Sequence, residues 1–148
     1  MDWQARFYPL DVFHSLEKNI VSLIHAETFQ AVQIVREEID SIGTPDLKSW
    51  ARNHAGAVVP MSETIQKEGA AIEAAYPDLT DPKSTFQSAD AYVIALAKLT
   101  NSIVVSQETS ANEKRNPKMA HYIPDVCRDL GIPCINILGL MRREKWIF

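Results

Sequence analysis

An apolar helix followed by a short β-branched strand lies between residues 88 and 108. Residues 91–99 are apolar almost all round the helix that they would form, so that helix should be buried. Residues 103–105 are a β-branched run, which is typical of a parallel strand covered on both faces. Together these two elements predict a domain in which helices cover both sides of a parallel sheet.

The rest of the chain continues this alternation of helices and strands. Helical periodicity predicts helices over residues 12–26, 34–42, 44–50, 62–76, 124–130 and 138–143. Strands are expected at residues 28–32 and 134–137, a turn at residues 8–11, an apolar link at residues 57–60 and a loop at residues 77–83. We therefore expect one domain over residues 1–148, with a three-layer α/β fold and a central parallel sheet flanked by helices.

Composition excludes several classes of protein. Apolar residues make up 46% of the chain, yet no apolar run is long enough to cross a bilayer. The first residues lack the basic-then-apolar layout of a signal peptide, so we expect a cytoplasmic protein without membrane contact. Cys127 and Cys134 are too few for a disulfide framework and lack a second pair for zinc, and we expect both to be small buried thiols.

The net charge of −4 is unevenly distributed. Residues 112–148 carry seven Lys/Arg and four Asp/Glu, a net +3, which leaves −7 for residues 1–111. The basic part includes Lys114, Arg115 and Lys118. These side chains could contact RNA phosphates, or they could belong to a solvated loop.

Three acidic residues occupy positions where a parallel sheet gathers its reactive groups. Asp90 opens the buried helix, Glu108 follows the strand at residues 103–105, and Glu38 lies late in the helix after the first strand. Each alone has a plain explanation as a helix cap, a loop residue or a solvated face. Brought together, the carboxylates would repel one another, and a bound Mg²⁺ or Mn²⁺ would relieve that repulsion.

Two groups of motifs resemble a known family. Residues 88–97 and 103–108 resemble the PIN-domain pattern, in which an aspartate opens a helix, an apolar strand follows, and a hydroxyl residue stands two positions before an acid. Residues 8–13, 123–127 and 131–136 resemble an uncharacterised branch of PIN-like proteins. Members of that branch look like toxins of bacterial and archaeal toxin–antitoxin pairs.

The resemblance implies a metal-dependent endoribonuclease that acts as a toxin, with RNA as substrate and an antitoxin protein as partner. It implies that Asp90, Glu108 and Glu38 hold the Mg²⁺ or Mn²⁺, with Glu37 as a substitute for Glu38. Ser106 would form a hydrogen bond within the site. Family members usually carry threonine there, and aspartate in place of Glu108.

The resemblance also implies that a part is missing at the start. The family begins with a strand carrying Asp-x-Asn, shortly before the segment that matches residues 8–13, and residues 1–7 hold no such strand. The alternative function is therefore a catalytically impaired PIN-like module that binds a protein partner or RNA. The predicted helices at residues 12–26 and 62–76 could contact an antitoxin or a second copy of the chain, or could pack in the core.

Overall fold

The structure, a computed structural model, describes residues 8, 12–80 and 87–148 of the protein. These residues include seven α-helices, three short 3-10 helices and four short parallel strands. The helices are α1 (Leu16–His25), α2 (Gln33–Ile42), α3 (Pro45–Asn53), α4 (Glu63–Ala75), α5 (Asp90–Thr100), α6 (Ile123–Leu130) and α7 (Ile137–Arg143). The strands are β1 (Ala31–Val32), β2 (Val58–Val59), β3 (Val104–Val105) and β4 (Cys134–Ile135). The predicted helices are thus confirmed, with ends that differ by a few residues.

Local sequence signals account for several helix ends. The Thr44 side chain accepts a hydrogen bond from the Leu47 N–H at 3.3 Å at the start of α3, and the Ser62 side chain does the same for Ile65 at 3.2 Å in α4. These contacts satisfy backbone donors that a helix start leaves unpaired. At its carboxyl end α6 stops at Gly131, whose φ of 69° suits glycine.

The strands form two separate parallel pairs among the described residues. In one pair Ala31 lies opposite Val58, and in the other Val104 lies opposite Cys134. The parallel direction agrees with the expectation, but one continuous central sheet is not formed by these four strands. Within the apolar link expected at residues 57–60, Val58 and Val59 form a strand instead. The prediction was wrong for these two residues because two backbone-paired residues are too few to show a periodic pattern.

Each face of β3 contacts a different apolar cluster. Val104, which is 2% exposed, belongs to a cluster that contains Ile94 of α5 and Val126 of α6. Val105 packs against a second cluster built on α1 and α7, which includes Leu16 and Leu140. The strand therefore lies between two groups of helices.

Two further expectations concern membrane contact and the thiols. Within the described ranges no helix is both long and apolar enough to span a bilayer. Cys127 is buried and Cys134 partly buried, and both are free thiols. Part of the predicted turn at residues 8–11 and part of the loop at residues 77–83 lie outside the described residues.

Candidate functional site

Acidic side chains meet where β1 and β3 end. The chain passes from β1 directly into α2, which carries Glu38, and from β3 into the loop that carries Glu108. Asp90 is the first residue of α5. One carboxylate oxygen of Glu38 accepts a hydrogen bond from the Ala89 N–H at 3.2 Å, so Glu38 contacts the residue next to Asp90.

Two serines hold the backbone of two of these acids in the same way. The Ser88 hydroxyl oxygen accepts a hydrogen bond from the Asp90 N–H at 3.3 Å, and the Ser106 hydroxyl oxygen accepts one from the Glu108 N–H at 3.1 Å. Hydroxyl groups commonly fix a turn two residues on in this manner. Ser106 was predicted to form a hydrogen bond at the site; Ser88 was overlooked, although its spacing from Asp90 is the same.

The carboxylates also interact electrostatically. The pKa of Asp90 is raised from 3.8 to about 6, chiefly because the group is buried and next because the charge of Glu108 is near. The Ser88 hydroxyl opposes this rise, and the charge of Glu38 adds to it. Three acids from three segments of the chain therefore form one electrostatic cluster.

The local contacts distinguish Glu38 from its neighbour. Glu37 is exposed and accepts a hydrogen bond from the Gln33 amide at 2.8 Å, one turn back on α2. Glu38 is partly buried and bonds to the start of α5. Of the two acids, Glu38 is the one that the fold brings to Asp90.

The carboxylate of Glu108 lies at the amino end of α6. It accepts a hydrogen bond from the N–H of Ile123, the first residue of that helix, at 3.0 Å. Unpaired N–H groups and the helix dipole both favour a negative charge at this end of a helix. Glu108 is therefore held between the end of β3 and the start of α6.

The loop that carries Glu108 is fixed by two residues that were not among the predicted site residues. Burial acts to raise the pKa of Asp125, but hydrogen bonds from the Ala111 and Tyr122 N–H groups, with those of Arg128, hold it below the ordinary value. Gln107 accepts a hydrogen bond from the Ile137 N–H at 3.0 Å. That an aspartate just after a proline begins a helix can be predicted from sequence. The hydrogen bond that Asp125 accepts from the Ala111 N–H cannot, because the two residues are 14 positions apart.

The donor chemistry of the cluster suits a hard divalent cation. Within the described parts of the chain, no three His, Cys, Asp or Glu side chains are arranged as a group that could hold a metal ion by themselves. Mg²⁺ does not require such a group, because it usually keeps several waters and binds through one or two carboxylates. Carboxylates are the type of ligand that such a cation takes, and of the two neighbouring acids Glu108 has the larger effect on the pKa of Asp90.

The three predicted phosphate-binding residues lie on the segment before α6. The Lys114 ammonium lies 4.1 Å from the centre of the Tyr122 ring, which is a cation–π distance. The Lys118 N–H donates to the Tyr122 hydroxyl at 3.1 Å, while the side chains of Lys118 and Arg115 are exposed. Tyr122 is next in the chain to Ile123, whose N–H binds Glu108.

Comparison with known proteins gives a family and no further relative. Residues 1–148 match a family described as a domain of unknown function, DUF4411. Neither the curated proteins nor the solved structures yielded a match.

Proposed function

The chain belongs to the DUF4411 family, whose description assigns no activity. From the resemblance of its motifs to PIN domains, together with the arrangement of the acids, we propose that it is a PIN-type, divalent-metal-dependent endoribonuclease. One observation carries the proposal: Glu38 bonds to the residue beside Asp90, and the charge of Glu108 acts on the same carboxyl. Carboxylates gathered at the ends of parallel strands are where an α/β domain performs chemistry.

In this proposal the chain's own residues hold the cation and the RNA. Asp90 and Glu108 would bind the Mg²⁺ or Mn²⁺, and Glu38 would add negative charge beside them. A bound cation supplies a more acidic water and neutralises charge on the phosphate. Because the pKa of Asp90 is about 6, this carboxyl is mostly ionised at pH 7 and is then available to a cation.

The basic segment would hold the RNA backbone. Lys114 is positioned by the Tyr122 ring, one residue from the contact between Ile123 and Glu108. Arg115 and Lys118, which are exposed, would bind phosphates farther along the strand, and such contacts weaken as salt is added. The two helix groups that cover β3 would be the outer layers of a PIN-like fold.

A nuclease assay with matched variants tests the proposal. We expect wild-type protein to cleave RNA with Mg²⁺ or Mn²⁺ and to stop when the metal is chelated. Asp90→Asn and Glu108→Gln should each reduce cleavage by at least about 100-fold, on the scale of losing a transition-state charge contact. Glu37→Gln, a change one residue from Glu38 on an exposed side chain, should leave cleavage unchanged.

The outcome also separates the two functions implied by the sequence. If clean wild-type protein binds RNA without cutting it, the nuclease proposal is wrong and the binding module is correct. Cleavage that survives Asp90→Asn would point to a contaminating nuclease and would equally refute the proposed site. A role as a toxin predicts in addition that expression stops bacterial growth and that Asp90→Asn restores it.

A further inference from the structure

The two cysteines of the chain lie in the same apolar cluster. Side chains alternate between the two faces of a strand, and the two residues of β4 follow this rule. Ile135 packs against the cluster built on α1 and α7, whereas Cys134 packs against the cluster that contains Val104. Cys127 of α6 is buried in the same cluster as Val104. The side chains of Cys127 and Cys134 therefore share one side of β4.

The turn between α6 and β4 brings the two cysteines together. The Cys127 carbonyl accepts a hydrogen bond from the Ile132 N–H at 2.8 Å, which closes the end of α6 around Gly131. Ile132 is buried in the same cluster as Cys127. It stands two residues before Cys134, the spacing at which side chains of an extended segment share a side. The backbone thus holds the helical turn of Cys127 against the segment that carries Cys134.

The two thiols also interact with each other, and they differ in exposure. The Cys127 thiol donates a hydrogen bond to the Cys134 sulfur. This bond lowers the pKa of Cys134 by more than burial and the charge of Glu108 raise it. The same bond, together with burial, raises the pKa of Cys127. Cys134, which is only partly buried, is therefore the thiol that an external reagent meets, and the buried Cys127 lies behind it.

We propose that Cys127 and Cys134 are a site of reversible modification, at which a low-molecular-weight disulfide such as glutathione disulfide oxidises the pair to an internal disulfide. The Cys134 thiolate first attacks one sulfur of glutathione disulfide, forms a mixed disulfide, and releases glutathione, which takes up a proton. The Cys127 sulfur then attacks the Cys134 sulfur and releases the second glutathione, which takes up the proton of Cys127. Two protein thiols are thereby oxidised, and one glutathione disulfide is reduced to two glutathiones.

The disulfide would join two elements that lead to the acidic cluster. The Ile123 N–H of α6 binds Glu108, and β4 pairs with β3, from which the chain continues to Glu108. A reducing compartment keeps such a pair as thiols, and the disulfide forms where the ratio of glutathione disulfide to glutathione rises. The modification does not require that the cluster cleaves RNA, so its test measures the sulfur chemistry directly.

The first test is mass spectrometry of the folded protein after incubation with glutathione disulfide and alkylation of the remaining thiols. Wild type should lose two hydrogen atoms, carry no glutathione and resist alkylation, and dithiothreitol should restore both thiols. Cys127→Ala should instead retain one glutathione on Cys134. Cys134→Ala should react at least about 10-fold more slowly than Cys127→Ala, because Cys127 is 0% exposed and buried thiols are inert. A glutathione adduct that persists on wild type, or a disulfide between two chains, would overturn the proposal.

A second test separates the effect of the fold from the closeness of the two cysteines in sequence. Wild type is equilibrated in glutathione redox buffers with and without concentrated urea, and the effective concentration of one thiol toward the other is measured in each. We expect the folded protein to give a value at least about 10-fold higher, because the fold holds the two sulfurs together. An equal or lower value would refute the proposal, since a disulfide requires close and correctly directed sulfurs. If an alanine variant fails to fold, this measurement on wild type still decides the question.

Discussion

Replacing Asp90 with asparagine should stabilise the protein at neutral pH. The folded protein raises the pKa of Asp90 from 3.8 to about 6, so folding favours the protonated form and ionisation destabilises the native state. This penalty is absent below about pH 4, grows between about pH 4 and pH 6, and is complete above that range. Asparagine has nearly the same shape, can still accept a hydrogen bond from Ser88, and carries no charge.

The size of the effect follows from the same pKa. A rise from 3.8 to about 6 corresponds to roughly 3 kcal/mol at 1.36 kcal/mol for each pKa unit. Burial of the polar amide in Asp90→Asn offsets part of this gain. We therefore expect the variant to be more stable than wild type by about 1.5–3 kcal/mol at pH 7.5, and we expect this advantage to shrink by roughly 2.5 kcal/mol on going to pH 4.

Urea unfolding at several pH values between 4 and 8, with a chelator present, measures the difference. Asp129→Asn is the matched control, because this aspartate is 43% exposed and lies 3.9 Å from Arg128 in a weak surface pair. Its effect should remain below about 0.5 kcal/mol throughout. A difference for Asp90→Asn that is constant with pH, or a loss of stability above pH 6.5, would show that Asp90 is neither buried nor close to other carboxylates as described.

Two further substitutions test the packing of α4 and the anchor of the site loop. Gly69→Ala should destabilise the protein by about 1–3 kcal/mol, because the added methyl group would collide with the Tyr92 ring of α5. The control Gly56→Ala has open space around it and should change the unfolding free energy by less than about 0.5 kcal/mol. Equal effects of the two substitutions in urea unfolding would contradict the described packing. Asp125→Ala should cost about 2–4 kcal/mol near pH 7, since it leaves two backbone N–H groups without their acceptor. The pKa of Asp125 is lowered in the folded protein. The contribution of Asp125 to the unfolding free energy is therefore present above its ordinary pKa and is lost as the pH falls through the lower folded value. Equal unfolding free energies for wild type and Asp125→Ala at pH 7 would refute this.

The elements that could be predicted from sequence are those whose signal is local. Residues 91–99 are apolar nearly all round, and Asp90 stands at their start, so both the buried helix α5 and the position of its acid were readable. The resemblance to PIN domains implied that Ser106 forms a hydrogen bond within the site, and the bond that it forms with the Glu108 N–H spans only two residues. Capping and periodicity act within one or two turns, which is the range that a single sequence reveals.

The contacts that could not be predicted join residues far apart in the chain. Gln107 binds Ile137 across 30 positions, and no pattern in the sequence selects that pair. The division of the strands into two pairs is a tertiary feature of the same kind. The strand β2 was not predicted, because its conformation depends on pairing with β1 rather than on its own two residues.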